Sequence, residues 1–490
     1  MSIDIESHNF PAPLPTKPKN AVQHLPPTVG NPVDLEMRLM DGSQSFPGIL
    51  NASTALGPSN PEDSERSDTQ GQVTEQVQTL WSPHKNRYRV LAACLSSFAN
   101  GMNDSAPGAL IASIERDYNI SYGTVSIIFV CNALGFVAAA FFINALAKRI
   151  GRAKCLMISE ILLMLGYAAI VTTPPFGVVA ASFFVTGVGM AMNLTICQVF
   201  CANLANNTAL VGAYQGAYGI GGICAPLVAT ALVSGGSVWS RFYIIELCLA
   251  ALNLLIAPWT FWEYEQESDP ILPHPASEQT NRAWSGTKRN DGAQRKWRSF
   301  KTLVSSKPTV LGALFIFAYQ GAEVAISGWI ISFLVQFRHG DPSKVGFVTS
   351  GFWAGITLGR FTLSFLAHKT GERVFVFVVT FGALVLELLI WFVPSIPGDS
   401  IAVAFSGLLL GPVYPCAVHI FQRLIPRKMQ ISSLSLIGSV GSSGGAVAPF
   451  MTGMLAQHVG TFVLHPICIG LFVFMGITWF LLPKAERRDE

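Results

Sequence analysis

Two acidic side chains, Asp104 and Glu323, lie deep inside long apolar stretches of the sequence and are the strongest candidates for chemistry. A carboxyl group held away from water can load and release a proton near neutral pH. Ionisable groups within a membrane are costly to bury and usually have a functional role. We therefore expect Asp104 and Glu323 to bind protons or a polar solute. The alternative is that a neighbouring helix holds each carboxyl for structural reasons.

Neutral hydrogen-bonding side chains accompany the two acids, and one histidine lies in a later apolar stretch. Such a mixture suits a polar organic solute, but it suits ordinary hydrogen bonds between helices equally well. A lone helical histidine is more often a packing residue than a proton relay, and both roles remain open for His419. The predicted substrate- or proton-binding residues are Asn103, Asp104, Gln198, Gln215, Tyr319, Gln320, Glu323 and His419.

Four other charged residues fall within apolar stretches, and a structural role is open for each of them. Arg360 stands close to a basic loop, so its long stem is predicted to reach the nearer membrane surface. Glu160 is predicted to pair with the basic loop beside its own stretch. For Glu246 and Glu387 the pattern does not separate structure from function.

Other kinds of chemistry find little support in the residue pattern. The sequence contains no HExxH motif, no Walker loop and no cluster of Asp, Glu or His at ligand spacing. The nine cysteines form no CxxC pair, so we expect neither a disulfide framework nor a metal site. A net charge of +3 is too small to suggest a nucleic-acid partner. We predict a protein that is not an enzyme and needs no cofactor.

The elements that must position these residues are membrane-spanning helices. Only 12% of the residues are charged, whereas a soluble domain has roughly 25%. A helix needs about 20 mainly apolar residues to cross the hydrocarbon core, and the long runs do not alternate as the strands of a barrel would. The twelve predicted spans cover residues 89–113, 125–147, 155–173, 178–201, 209–233, 242–262, 309–336, 345–367, 374–393, 401–421, 434–456 and 462–482.

Lysine and arginine concentrate in alternate loops, and this bias sets the predicted orientation. Positively charged loops stay in the cytosol, so the N-terminus, the central loop and the C-terminus are all predicted to be cytosolic. The segment before the first span is polar and rich in proline, which is typical of disorder. The predicted organisation is a disordered tail at 1–84, a six-helix bundle at 85–262, a central loop at 263–308, a second six-helix bundle at 309–483 and a tail at 484–490.

The two predicted bundles are copies of one unit. When the sequence is shifted by 220 residues, Gly101, Gly108 and Gly135 align with glycines, and Asn103 aligns with Glu323. The loop segment ALAKRIGRAK at 145–154 aligns with FLAHKTGERV at 365–374. Glycine pairs that keep one offset across several spans indicate a duplicated six-helix unit in parallel orientation.

Twelve spans in a duplicated arrangement, with a basic glycine-containing loop after spans 2 and 8, resemble the major facilitator superfamily. The resemblance covers about residues 88–483 and implies a substrate site between the two halves near the midplane. It also implies a gating role for the loops after spans 2 and 8, although Lys148 and His368 stand where the family carries an acid. The gating residues that this resemblance implies are Lys148, Arg149, Gly151, Arg152, Lys369, Gly371 and Arg373.

Span 1 and the segment GPVYP at 411–415 look like the fucose-permease-like branch, including its fungal relatives. The resemblance implies a secondary transporter of a small organic solute, by proton coupling or as a uniporter, for sugar-like nutrient uptake or metabolite efflux. The alternative is a nutrient sensor on a transporter fold. We expect a monomer in the lipid bilayer of the plasma membrane, with a vacuolar or other internal membrane as the alternative.

Overall fold

The computed structural model describes residues 78–205, 207–264 and 305–483, and this part of the chain is helical throughout, without a β-strand. The predicted N-terminal tail to residue 77, the central loop from 265 to 304 and the tail from 484 fall outside the described residues. The long helices are α1 Asn86–Tyr118, α2 Ile127–Ile150, α3 Arg152–Val171, α4 Phe176–Ala202, α5 Asn207–Ser234, α6 Phe242–Phe261, α7 Lys307–Gln336, α8 Val348–Thr370, α9 Glu372–Phe392, α10a Ile396–Leu410, α10b Val413–Leu424, α11 Arg427–Val459 and α12 Leu464–Phe480.

Each predicted span corresponds to one of these helices, and span 10 is divided at Gly411 and Pro412 into α10a and α10b. Within the described ranges, nine spans are long and apolar enough to cross a membrane by composition alone. Helices α1, α8 and α11 fall below that measure because α1 carries several Ser and Asn residues and α8 and α11 carry several Ser and Gly residues. Small residues of all three helices pack closely against neighbouring helices, as at Gly101, Gly355 and Gly444.

The helices form two six-helix halves with the same internal packing. In the first half α1 packs on α5, α2 on α4, and α3 on α6; in the second, α7 packs on α11, α8 on α10a, and α9 on α12. Equivalent glycines make equivalent contacts: a side chain at Gly135 would overlap the Phe184 carbonyl, and one at Gly355 would overlap the Ala404 carbonyl. The duplication read from the sequence is therefore a duplication of helix packing.

Glycine also ends the two helices that precede the basic loops. Gly151 closes α2 with φ of 86°, and Gly371 closes α8 with φ of 91°. Both values lie where only glycine is free of strain, because other residues would bring Cβ against the backbone. We call this end of the molecule, at which Arg149, Arg152 and Arg373 lie, the basic end.

The two halves touch at mid-depth and at the end opposite the basic end. There, Ser126 of the turn before α2 reaches the Phe450 carbonyl of α11 at 3.5 Å, and Tyr122 packs edge-on against Trp329 at 5.4 Å between ring centroids. A side chain at Gly346, before α8, would overlap Thr230 of α5. This end of the interface between the halves is closed.

Toward the basic end, residues of α2 and α11 become exposed. The face of α2 that begins beside Ser126 continues through Val137 and Phe141, which are 41% and 86% exposed. On α11, a Cβ built on Gly438 would have no heavy atom within 4 Å, and the same holds for Gly212 of α5. The described residues thus form an interface that is closed at one end and open at the basic end.

Candidate functional site

Helices α1 and α7 cross where the two halves meet, and this crossing sets the level of the two predicted acids. A side chain at Gly108 would overlap the Ser327 carbonyl and contact Gly328, its own repeat equivalent. Asp104 lies one turn below Gly108, and Glu323 lies one turn below Ser327. The two carboxyl groups are therefore at the same depth and within electrostatic range of each other.

Asp104 is held by a tyrosine of α5. The Tyr218 hydroxyl donates a hydrogen bond of 2.5 Å to Oδ2 of Asp104. The close packing of α1 on α5 fixes this geometry, because a side chain at Gly101 would overlap the Tyr218 carbonyl and one at Gly221 would overlap the Phe98 carbonyl. Asp104 remains partly exposed, so it is bound on one side and accessible on the other.

Glu323 is paired with Arg360 of α8, at 3.7 Å between Oε1 and Nη2. Only 9% of the Glu323 side chain and 22% of the Arg360 side chain are exposed. The expectation that Arg360 extends to the membrane surface was wrong, because its guanidinium turns to the buried carboxylate of Glu323, which would otherwise lack a compensating charge. The Tyr319 ring is within electrostatic range of both groups.

Aromatic rings border the two charged groups. Trp353 of α8 packs 5.9 Å from Tyr218, and Tyr414 of α10b lies 6.1 Å from Tyr319, measured between ring centroids. The Trp353 Nε1 is buried without a hydrogen-bond partner in the described part of the chain, whereas the Tyr319 hydroxyl faces Glu323 and Arg360. Buried polar atoms are normally paired, so the Trp353 Nε1 is positioned to bind a ligand or water between the halves.

The remaining predicted site residues do not all join this cluster. Asn103 is buried and directs its amide at Met190 Sδ, 2.8 Å away inside the first half. Gln198 is exposed on α4, whereas Gln215 and Gln320 are partly exposed, each within one turn of a residue in the cluster. His419 lies in α10b and binds Glu372 through Nδ1 at 2.6 Å, away from Asp104 and Glu323.

Tyr218, Arg360, Trp353 and Tyr414 complete a cluster that the sequence prediction had only partly identified. Arg360 was assigned to the membrane surface, and Tyr218, Trp353 and Tyr414 are not among the predicted site residues. Tyr218 stands in the glycine-rich stretch at 216–222, and that glycine spacing was the available signal, because close helix packing brings its hydroxyl to α1.

Two of the predicted gating residues make contacts within their own halves. Arg152 lies over the Tyr264 ring at 4.6 Å, and Arg373 donates to the Pro483 carbonyl at 2.8 Å. Arg149 and Lys369 are exposed at the basic end, next to Gly151 and Gly371. The Lys148 side chain lies outside the described residues. An acid does occur at this end, since Glu372 begins α9 and pairs with His419.

A serine motif of hydrolases also occurs, as residues 441–445 read GSSGG and match the pattern GxSxG. The motif requires a sharp turn between a strand and a helix. Here it lies inside helix α11, where the Ser443 hydroxyl donates to the Val440 carbonyl, so the segment lacks the strand-to-helix turn of that motif.

Replacing Arg149 by Ala should lower turnover about fivefold while leaving substrate affinity nearly unchanged. Arg149 is exposed at the basic end, far from Asp104, and an exposed ion pair is worth up to about 1 kcal/mol. Initial rates at several substrate concentrations measure both quantities in proteoliposomes. Arg116→Ala, at the opposite end, is the control. A large loss of affinity at normal maximal rate would contradict the gating assignment.

Comparisons with known proteins agree with the helical fold. The family model described as Major Facilitator Superfamily matches residues 93–449 and 324–490. The protein named Bypass of stop codon protein 6 of Saccharomyces cerevisiae is 24% identical over 425 residues, covering 82% of this chain and 84% of the yeast protein. A glucose/galactose transporter of Brucella abortus is 23% identical over 414 residues, covering 75% and 88%.

The helix arrangement is also found in solved structures. The crystal structure of a D-xylose-proton symporter superposes with a TM-score of 0.63 at 14% sequence identity, covering 82% of this chain and 98% of the symporter. At that identity the likeness concerns the fold alone, and it agrees with two six-helix halves.

Proposed function

Since this chain belongs to the major facilitator superfamily, we propose that it is a secondary active transporter that carries a small polar organic solute by alternating access. The observation that carries the proposal is the mid-depth cluster. The first half contributes Asp104 and Tyr218, and the second contributes Glu323, Arg360 and Trp353. A solute bound by both halves couples their relative movement to its own passage.

A sugar or a similar polyol is the substrate class that this cluster fits best. Carboxylate and guanidinium groups bind hydroxyls in directed hydrogen bonds, whereas the faces of Trp353 and Tyr414 offer apolar contact to the C–H side of a sugar ring. The Brucella relative is named a glucose/galactose transporter and the protein of the same fold a D-xylose-proton symporter, which supports this class.

Proton coupling is the proposed energy source. Asp104 has a hydrogen-bond donor on one side and remains partly exposed, so it can exchange a proton with the cavity. Glu323 is less free to do so, because Arg360 compensates its charge. We therefore assign coupling to Asp104 and substrate recognition to Glu323 and Arg360.

The orientation follows from the basic loops, which we assign to the cytosol. The open basic end then makes this the inward-facing state, in which solute exchanges with the cytosol. We assign the protein to the plasma membrane as a monomer, with an internal membrane as the alternative; a fluorescent fusion distinguishes the two locations.

A substrate screen on the purified protein in proteoliposomes tests the proposal. We expect uptake of a hexose, a pentose or a polyol that is stimulated by an inward pH gradient. Trp353→Ala should weaken the affinity for that substrate, whereas Trp391→Ala, on α9, should leave it unchanged. Substrate-dependent stabilisation without any flux would instead favour the nutrient sensor, and failure of every sugar would overturn the substrate class.

A further inference from the structure

The chain leaves the first half through a short segment after α6, and this segment packs onto the basic end. Tyr264 lies just after the end of α6 and is only 6% exposed. The rings of Phe200 on α4 and of Phe261 pack against it, at 5.4 and 6.0 Å between ring centroids. The link between the two halves therefore starts at a residue that is held firmly in the first half.

Two guanidinium groups from other helices lie against the same ring. The Cζ of Arg152, the first residue of α3, is 4.6 Å from the Tyr264 ring centroid, and the Cζ of Arg89, in the first turn of α1, is 5.0 Å from it. Arg89 is fully buried and also donates from Nε to the Thr260 carbonyl of α6 at 2.8 Å. An aromatic face attracts guanidinium groups at such distances, more strongly where water is excluded. The Tyr264 ring thus joins the ends of α1, α3 and α6.

The second half joins the equivalent helix ends by different contacts. Arg373, at the start of α9, donates to the Pro483 carbonyl at 2.8 Å and also to the Leu482 carbonyl, both of which follow α12. The Trp479 Nε1 of α12 donates to the Arg373 carbonyl at 2.8 Å. Because α3 and α6 correspond to α9 and α12 in the repeat, each half ties its third helix to the segment that leaves its sixth.

The position of Arg152 favours a functional role over simple packing. The dipole of a helix opposes a cation at its N-terminus, and apolar residues would fill the same space without that cost. Arg152 directly follows Gly151, so its contact with Tyr264 fixes the direction in which the basic loop enters α3. Under the proposed transport cycle, the open basic end must close and reopen each time. A loop at this end has to be held in one shape to meet the second half.

We propose that Tyr264 is a positioning residue of the gate at the basic end. Its ring holds Arg152 and Arg89, so that the basic loop, the start of α1 and the segment after α6 move as one body when this end closes. Asp104 lies about 22 Å farther along α1 than Arg89, so Tyr264 affects the rate of gating and not substrate binding. The inference rests on the proposed transport function and gives the start of the link between the halves a part in it.

Transport kinetics test the role of the ring. Tyr264→Leu removes the aromatic face and keeps an apolar side chain, whereas Tyr264→Phe keeps the face. Initial uptake of radiolabelled D-glucose and D-xylose is measured in proteoliposomes at several sugar concentrations. We expect Tyr264→Leu to lower the maximal rate about tenfold, the size of a cation–π contact shielded from water, with the affinity within about twofold of the parent. Tyr264→Phe should transport as the parent does.

Tyr88→Leu is the matched control. The Tyr88 ring packs on Trp259 of α6 at 5.4 Å between centroids, and the Cζ of Arg87 lies 4.8 Å from it. Tyr88 therefore also joins α1 to α6 and also contacts a guanidinium, but it is 38% exposed and these partners belong to α1 and α6. Its replacement should leave the maximal rate unchanged, because the start of α3 keeps its contact.

A double variant tests whether the ring acts through Arg152. Arg152→Gln keeps most of the side chain and removes the charge, so it should lower the maximal rate as much as Tyr264→Leu does. The variant with both changes should be no slower than either single variant, because the two substitutions remove the same contact. Losses that multiply would show two independent effects and would overturn the proposal.

Hydrogen exchange of the purified full-length protein in lipid nanodiscs tests the contact without any substrate. The amides followed are those of the first turn of α3, where the Cys155 N–H donates to the Gly151 carbonyl at 3.2 Å. Tyr264→Leu should exchange these amides about tenfold faster than the parent, because the turn opens more often without its contact. Tyr264→Phe should match the parent. The first turn of α9 is the internal reference and should be unchanged in every folded variant.

Parent-like turnover of Tyr264→Leu together with faster exchange in α3 would overturn the proposal, because the ring would then support the fold alone. Equal losses of turnover in Tyr264→Leu and Tyr264→Phe would also overturn it, since the aromatic face would not be responsible. Failure of the proposed function looks different. If the parent carries neither sugar, the sugar class is wrong, and the exchange rates alone then decide whether Tyr264 holds the start of α3.

Discussion

Asp104→Asn is expected to abolish accumulation driven by a pH gradient, while exchange of substrate across the membrane continues. Asparagine keeps the shape and the hydrogen bond to Tyr218 but cannot titrate. A gradient of one pH unit supports about a tenfold accumulation with one proton per solute, since it corresponds to about 1.4 kcal/mol. The variant should lose this tenfold accumulation, so that the substrate concentration inside the proteoliposomes only equals the concentration outside.

Two assays on the same proteoliposomes separate coupling from binding. Uptake under an imposed pH gradient reports on coupling, and counterflow at equal pH reports on binding and movement. Asp117→Asn, an exposed acid near the end of the same helix, is the control and should behave as the parent. Undiminished accumulation by Asp104→Asn would remove Asp104 as the coupling group, and Glu323→Gln would then be examined in the same way.

Gly108→Leu should shift the protein away from the state described here. A side chain at this position overlaps the Ser327 carbonyl across the interface between the halves, but only while that end is closed. Overpacking a close contact costs about 2 kcal/mol, which would change the ratio of closed to open molecules roughly thirtyfold. Transport should slow in parallel, because each cycle requires the closed end to form.

Cross-linking at the closed end measures this shift. Gly123 and Gln457 face each other there, one from each half, so cysteines at both positions should link readily in an otherwise unchanged protein. Adding Gly108→Leu should slow the reaction, and adding Gly470→Leu should not, because nothing lies within 4 Å of a Cβ at Gly470. Equal linking rates in all three proteins would refute a gating role for the α1–α7 crossing.

The level of the central site was predictable from the repeat. Spans 1 and 7 are copies that cross near Gly108 and Gly328, so residues one turn away on each copy must share one depth. The sequence offset that aligns Asn103 with Glu323 expresses this relation. The sequence offset could not reveal that Asn103 turns toward Met190, or that its neighbour Asp104 binds Tyr218 across the α1–α5 contact.

The partners of the charged groups were not predictable from spacing. Arg360 and Glu323 are on different helices of the second half, and their pairing depends on how α8 turns relative to α7. His419 similarly finds Glu372 only because α10b ends beside the start of α9. Helical periodicity shows which residues share one face of a helix. In a membrane bundle the lipid-facing and protein-facing sides are similarly apolar, so periodicity does not show which neighbouring helix that face contacts.

Composition, apolar run length and the glycine repeat were enough to indicate twelve spans, two equivalent halves and two carboxyl groups near the middle of the membrane. These properties are local or periodic, so they can be read along one chain. Helix rotation and contacts between distant segments determine which end of the molecule is open and which donor holds Asp104. Only the tertiary structure decided them, because side chains in a helical membrane bundle acquire their partners from packing and not from sequence neighbours.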